Sequence, residues 1–95
     1  MAPATADIIS KVATGICDDL LSCTIASTKA RVLFAPAMND QMYNNKIIQG
    51  NITKLKVLGY KFVGPIKGPL ACGDKGIGHI AEVEDIVKKA KSLLK

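Results

Sequence analysis

The feature that most constrains the fold is a continuous apolar run, Arg31-Val-Leu-Phe-Ala35, which ends at Pro36. The run lacks the alternation of apolar and polar residues that marks a half-exposed strand, so we expect a strand buried on both faces. Amphipathic helical patterns lie before and after it. Strands alternating with helices indicate an α/β fold with a parallel sheet.

Two short helices are predicted before this strand. The first begins at a Thr5 cap and is broken by Gly15. The second covers residues 19–27 after an Asp18 cap. We expect one face of this second helix to point inward, namely Leu20, Leu21 and Thr24.

Two further helices, a second strand and a long loop are predicted after Pro36. They are a helix capped by Asn44 or Asn45 and stopped by Gly59, a strand at 60–63, an irregular glycine-rich loop at 64–81, and a helix from near Glu82. The third helix is expected to bury Ile48, Ile52, Leu55 and Leu58. Two strands are too few for a stable sheet, so we expect the rest of the sheet to come from elsewhere.

Composition narrows the function classes. Ninety-five residues suit one domain, spanning 1–95, and the net charge of +5 is spread along the chain without a basic run or aromatic platform, which argues against nucleic-acid binding. No apolar run is long enough for a membrane span, and no secretion signal is visible.

The three cysteines form no C-x-x-C pair, so neither a disulfide framework nor a zinc site is expected. This cysteine pattern fits a protein of the reducing cytoplasm. Cys17 and Cys23 lie in helical patterns and are predicted to be buried.

Two residues are candidates for chemistry from their position alone. Cys72 lies in a glycine-rich loop, where Lys75 could lower its thiol pKa, although an incidental surface thiol is an equal alternative. Asn39 follows the buried strand at the carboxyl end where open α/β sheets bind ligands, and its amide could donate to a carboxylate. A plain turn asparagine is the alternative there. His79, the one histidine, is most simply a polar loop residue.

Three stretches in order resemble the homo-oligomeric flavin-containing cysteine decarboxylases. Residues 3–21 resemble the family's P-x-x-A-N-T…K-x-A-x-G-x-x-D-N-L-L segment, and residues 36–43 its P-x-M-N-x-x-M-W segment. Residues 71–78 resemble the A-C-G-D-x-G-x-G clamp of the branch that acts on phosphopantothenoylcysteine in coenzyme A synthesis. The resemblance covers nearly the whole chain and implies a Rossmann-like or flavodoxin-like three-layer fold with a parallel sheet, of which this chain is the C-terminal half.

The resemblance also implies roles for individual residues. In that family FMN oxidises an acyl-cysteine, whose carboxylate leaves as CO₂, and a clamp cysteine donates a proton when the product is reduced. By position, Cys72 is that donor and Asn39 holds the substrate carboxylate. The clamp over the substrate would be lined by Pro69, Ala71 and Ile80, and FMN would be contacted by Thr5, Ala6, Asp7, Ile8 and Ala37.

The sequence departs from the family pattern at several places, which include Tyr43 for Trp, Pro69 for the Arg of some members and Ile80 for Met. Asp7 and Ile8 stand where the family has Asn-Thr, and His79 stands where Arg or Ala is usual. The family's N-terminal half, with its flavin-phosphate site and required histidine, has no counterpart here. We therefore expect a cytoplasmic enzyme subunit that needs a separate or deleted half and assembles into trimers like its relatives. The alternative is a non-catalytic flavoprotein-like interaction module.

Overall fold

The computed structural model describes residues 1–69 and 75–94 and has the alternating helices and strands that the sequence predicts. In chain order the elements are α1 Ala6–Thr14, α2 Leu20–Ser27, β1 Leu33–Phe34, α3 Asp40–Tyr43, α4 Lys46–Val57, β2 Lys61–Phe62, β3 Ile66–Pro69, β4 Lys75–His79 and α5 Val83–Leu93. The α/β class is confirmed.

The parallel sheet has three rows rather than two. Strands β1 and β2 pair in parallel, with Leu33 opposite Lys61 and Phe34 opposite Phe62. On the other side of β1, the first residues of the chain run alongside as an extended row: the Met1 amino group donates to the Leu33 carbonyl at 2.7 Å. Ala4 forms a parallel bridge to Pro36. The chain therefore opens on a row of this sheet.

One side of the sheet, which we call the packed face, is fully covered. Successive residues of a strand point to opposite sides, and Phe34 points to the side where α1 and α4 pack against each other. Its ring is fully buried and lies 5.3 Å from the Phe62 ring. Around it the core is completed by Ala4, Ile8, Ile9, Ala13, Ile25, Ile52 and Leu55.

The opposite side, which we call the open face, carries Leu33 and is covered only in part by α5. Helix α5 is strongly amphipathic in sequence, yet none of its residues is buried. Val83 is 70% exposed and Val87 44% exposed. A groove of about 540 Å³ runs between Leu33 and the C-terminal half of α5. The Arg31 guanidinium ties α5 to the sheet by donating to the Leu93 carbonyl.

Two predicted helix faces are partly wrong. Leu20, Leu21 and Thr24 are exposed, and the residues of α2 that turn inward are Ser22 and Ile25. The N-cap is Asp19 rather than Asp18, since Asp19 Oδ1 accepts from the Ser22 N–H, and the helix begins one residue later than predicted. In α4, Ile52 and Leu55 are buried as predicted and Ile48 is half-buried, whereas Leu58 is the exposed C-cap.

The predicted irregular loop at 64–81 is wrong over most of its described part. Residues 66–69 and 75–79 form an antiparallel ladder, β3 with β4, in which Lys67 lies opposite Ile77. Glycine is depleted in strands, so the sequence signal there favoured a loop. The predicted caps at Thr5 and Asn45, the helix start near Glu82 and the stops at Gly15 and Gly59 are confirmed.

No helix within the described ranges has both the length and the apolar character needed to cross a bilayer, and α4, with 12 residues, is the longest of them.

Candidate functional site

The start of α1 lies beside the end of β1, because the extended residues 1–4 that lead into α1 are hydrogen-bonded to β1 and the residues that follow it. The Ala4 N–H donates to the Ala35 carbonyl at 2.8 Å, and the Ala37 N–H donates back to the Ala4 carbonyl at 3.0 Å. The Thr5 cap and Ala37 therefore sit next to each other at the carboxyl edge of the sheet. This is the edge at which ligands bind in open α/β folds.

The α1 cap and the three residues after it, which are predicted to contact a cofactor, differ in whether their side chains are exposed. The side chains of Thr5 and Asp7 are accessible, whereas Ala6 and Ile8 are 5% and 6% exposed. Ile8 belongs to the core cluster, so only its backbone faces the edge. Its N–H is already engaged by the Thr5 hydroxyl oxygen at 3.3 Å. The isoleucine side chain at position 8, where the family pattern has Thr, is therefore accommodated in the core of the packed face.

The charge of Asp7 is balanced within the same helix. Lys11 Nζ lies 3.3 Å from Asp7 Oδ2, one turn away, and within 3.3 Å of carboxylate oxygens of both Asp18 and Asp19. Hydrogen bonds to Asp18 and Asp19, with a smaller contribution from Asp7, raise the pKa of Lys11 well above its ordinary value. Sequence reasoning missed this cluster. The signal was the four-residue spacing of Asp7 and Lys11, a common helical ion pair.

Asn39 is the N-cap of α3, a short helix that the sequence did not predict. Its Oδ1 accepts from the Met42 N–H at 2.8 Å, which fixes the orientation of the amide. Nδ2 therefore points away from the helix, and the side chain is exposed. An asparagine held this way presents an N–H donor at the carboxyl edge of the sheet, which is what recognition of a carboxylate requires.

The β3–β4 ladder lies directly on the loop that carries Asn39. The Met38 N–H donates to the Gly78 carbonyl at 2.9 Å. A Cβ on Gly78 would meet the Met38 oxygen at 2.1 Å, and the backbone there has φ +136°, so only glycine allows this approach. Gly78 is therefore required for β4 to lie against the Met38 backbone.

The remaining predicted clamp residues divide between described and undescribed parts of the chain. Pro69 is the last residue of β3 and lies opposite Lys75. Ile80 follows β4 and is half-buried, as is His79. Ala71 and Cys72 lie outside the described residues, so their roles stay predictions. Among the residues that are described, no group of three His, Cys, Asp or Glu side chains could hold a metal ion.

The described parts of the three resembling segments meet at one edge. Ala37 joins the loop to the row that leads into α1, and Met38 joins it to β4, one residue apart. The flavoprotein family model matches residues 1–95, which is the full length of the chain. The chain belongs to the flavoprotein family. The resemblance seen in the sequence is thereby confirmed.

Individual relatives agree with this placement. The chain is 47% identical over 91 residues to the coenzyme A biosynthesis bifunctional protein CoaBC of Bacillus subtilis, covering 96% of this chain and 22% of that protein. Among solved structures it matches a cysteine-to-serine mutant of PPC decarboxylase complexed with pantothenoylaminoethenethiol, with 37% identity and a TM-score of 0.94. It also matches the FMN binding protein AtHal3, with 39% identity and a TM-score of 0.84.

The coverage of these relatives is partial. The match spans 98% of this chain but 52% of the PPC decarboxylase chain, and 96% of this chain but 50% of AtHal3. The chain therefore has the Rossmann-like flavoprotein fold over about half the length of the solved relatives that it matches.

Proposed function

We propose that this chain supplies the substrate-side half of an FMN-dependent decarboxylase that converts 4'-phosphopantothenoylcysteine to 4'-phosphopantetheine in coenzyme A biosynthesis. The observation that carries the proposal is the pair of adjacent backbone contacts at Ala37 and Met38. They join the segment before α1, the loop that carries Asn39 and strand β4 at one sheet edge. The names of the relatives support the reaction and its cofactor.

The residues at this edge fit one wall of a flavin site. Ala6 and Ala37 have small side chains, which allow a flat ring system to approach the backbone, and Thr5 and Asp7 are polar and accessible. Asp7 accepts hydrogen bonds only, so it suits the N–H or hydroxyl groups of a flavin rather than its phosphate. Lys11, the one cation of α1, is held by three carboxylates. The phosphate therefore needs a site on another segment. Bound FMN would supply two-electron oxidation and reduction of the substrate.

Asn39 would orient the substrate. Its outward Nδ2 would donate to the carboxylate that is lost as CO₂, while the bond from Met42 to Oδ1 keeps the amide from turning. Pro69, Ala71 and Ile80 would line the clamp along the pantetheine arm. Closure of the clamp would exclude water from the reacting carbon.

Cys72 would donate the proton that accompanies the final reduction of the product. The solved cysteine-to-serine mutant of a relative is complexed with an enethiol. An enethiol is the species that remains when decarboxylation occurs but the final reduction does not. That title supports a cysteine acting after CO₂ has left.

The open face would receive the complementary half of the fold. The solved relatives are about twice as long as this chain. Leu33 borders a groove along α5, and Val83 and Val87 are exposed on that helix. A segment on the same or a separate polypeptide, supplying further strands and a helix, would cover this face and bring the phosphate site and the histidine. The completed unit would be a homo-oligomer built from trimers, acting in the cytoplasm.

The test is reconstitution with the N-terminal half of the decarboxylase region of the Bacillus subtilis relative. The mixture is expected to hold FMN, measured by flavin absorbance after gel filtration, and to release CO₂ from phosphopantothenoylcysteine. Asn39→Ala is expected to raise KM and lower kcat/KM by about tenfold to 100-fold, since a charge-assisted hydrogen bond is lost. Cys72→Ser is expected to release CO₂ but to stop at the enethiol.

The matched control is the Bacillus subtilis half combined with its own second half. If that pair is active while the pair with this chain binds FMN without releasing CO₂, and Cys72→Ser changes nothing, the chain is a non-catalytic module. If the control pair holds FMN and the pair with this chain does not, the proposed cofactor site is wrong.

A further inference from the structure

Helix α3, whose N-cap is Asn39, is a single turn of four residues. The turn is closed by the Tyr43 N–H, which donates to the Asn39 carbonyl at 3.0 Å, and by the Asn44 N–H, which donates to the Asp40 carbonyl at 2.9 Å. A helix this short is unstable by itself in water, because ordering the first turn costs more than its few hydrogen bonds return. The orientation of Asn39 therefore depends on contacts that α3 makes with other parts of the chain.

Gln49 makes such a contact at the C-terminal end of the turn. Its Nε2 donates to the Tyr43 carbonyl in a partly buried position. Tyr43 is the last residue of α3, and the carbonyls at the end of a helix have no partner within the helix. The Gln49 side chain thus fixes one end of the turn. The bond at 2.8 Å from the Met42 N–H to Asn39 Oδ1 fixes the other.

Gln49 lies near the start of α4, a helix that the packed face holds in place. Ile52 and Leu55 of α4 are buried in the core. Asn51 Nδ2 donates to Ser10 Oγ at 3.2 Å, which adds a polar contact between α4 and α1. Helix α3 lies wholly within the described residues and buries none of its side chains. The Gln49 bond therefore joins an exposed turn to a helix that is fixed on the core.

We propose that Gln49 is a positioning residue for Asn39. It keeps α3 closed, so that Asn39 Nδ2 stays directed at the substrate carboxylate. This inference rests on the proposed function, in which Asn39 binds that carboxylate. Without the Gln49 bond, the turn opens from its C-terminal end and the Met42 N–H leaves Asn39 Oδ1. The amide of Asn39 can then rotate and present its oxygen, which accepts hydrogen bonds only and repels a carboxylate.

The first experiment measures amide hydrogen exchange by NMR in the chain alone, so it depends on no activity. Gln49→Leu is expected to speed exchange of the Met42 and Tyr43 N–H groups by at least about fivefold, the factor that corresponds to the loss of one typical hydrogen bond. These two groups donate to the side chain and the carbonyl of Asn39, so they report its orientation directly. Gln41→Leu, which replaces the other glutamine of the chain, an exposed residue of α3, is the matched control. It is expected to leave both exchange rates unchanged.

The internal reference is the Ile9 N–H, which donates to the Thr5 carbonyl at 3.1 Å in α1. Its exchange rate is expected to be the same in Gln49→Leu and in the native chain. Acceleration at Ile9 equal to that at Met42 would show a general loss of stability and would overturn the positioning role. Unchanged exchange at Met42 in Gln49→Leu would overturn it as well.

The second experiment measures steady-state kinetics of the reconstituted pair. Gln49→Leu is expected to raise KM by about threefold to tenfold and to change kcat by less than about twofold, because a donor that is misdirected for part of the time weakens binding of the carboxylate. In the Asn39→Ala background the same substitution is expected to leave KM unchanged, because Gln49 acts through Asn39.

The outcomes of the kinetic experiment separate the two proposals. If Gln49→Leu raises KM equally with and without Asn39, Gln49 does not act through Asn39 and the inference is wrong. If the native pair releases no CO₂ while its Bacillus subtilis control is active, the proposed function is wrong. The exchange rates of Met42 and Tyr43 then still decide whether Gln49 holds Asn39 in place.

Discussion

The packed face and the open face of the sheet contain similar apolar side chains but differ in what covers them. On the packed face, Phe34 is fully buried under α1 and α4, and every core residue of the cluster has partners within the chain. On the open face, Leu33 borders a groove, and α5 buries none of its residues. One face is thus covered within the chain, and the other is an apolar surface that the described residues leave exposed.

The difference between the two faces indicates which part of the chain stabilises the fold. The packed face gives the chain a core of its own, which holds the rows of the sheet and the start of α1 in place. The candidate site lies at the carboxyl edge of that sheet.

The largest expected effect is a difference in stability loss between a substitution on the packed face and one on the open face. Phe34→Ala removes a fully buried ring that packs against Phe62 and is expected to lower the free energy of unfolding by about 3–5 kcal/mol. Leu33→Ala, on the neighbouring residue, is expected to cost about 1 kcal/mol or less because its side chain borders a groove. Urea denaturation of both variants measures the difference. Equal losses would mean that the open face is already a closed core.

Part of this division was predictable from sequence. The run at 31–35 and the helical patterns fixed the α/β class, and the resemblance of three segments predicted that they share a site. The sequence did not reveal that Gly78 allows a strand to lie on the Met38 loop, because this contact depends on two backbones approaching in space. The sequence also predicted that Cys17 and Cys23 are buried, whereas both are exposed. Periodicity alone cannot tell a buried helix face from an uncovered one.

The second prediction concerns docking rather than folding. Val87→Lys places a charge in the centre of the apolar surface of α5 and is expected to weaken binding of the Bacillus subtilis N-terminal half by at least about tenfold, because the lysine would be buried without a partner. The stability of the free chain is expected to change by about 0.5 kcal/mol or less. Isothermal titration calorimetry measures the binding.

Val57→Lys is the matched control for that variant. Val57 is also an exposed valine on a helix, at 81% exposure, but it is the last residue of α4, on the packed side. It is expected to leave binding unchanged. If both lysine variants weaken binding alike, the complementary half does not dock on the open face.

The smallest expected effect tests the border of the packed face, where Asp19 caps α2. Hydrogen bonds from the Ser22 N–H and hydroxyl, with a smaller contribution from Lys11, lower the pKa of Asp19 below its ordinary value of 3.8. A lowered carboxyl pKa stabilises the fold at pH values above the ordinary pKa, and this contribution is lost as the pH falls through the folded-state pKa.

The variant Asp19→Asn keeps a good helix cap but removes the titrating carboxyl group. The stability difference between the native chain and this variant, measured by urea denaturation, is expected to be constant from pH 7 to 5 and to shrink below pH 3.8. If the difference in stability persists unchanged at acid pH, the charge of the Asp19 carboxylate does not stabilise the start of α2. Apolar contacts alone would then hold α2 against the packed face.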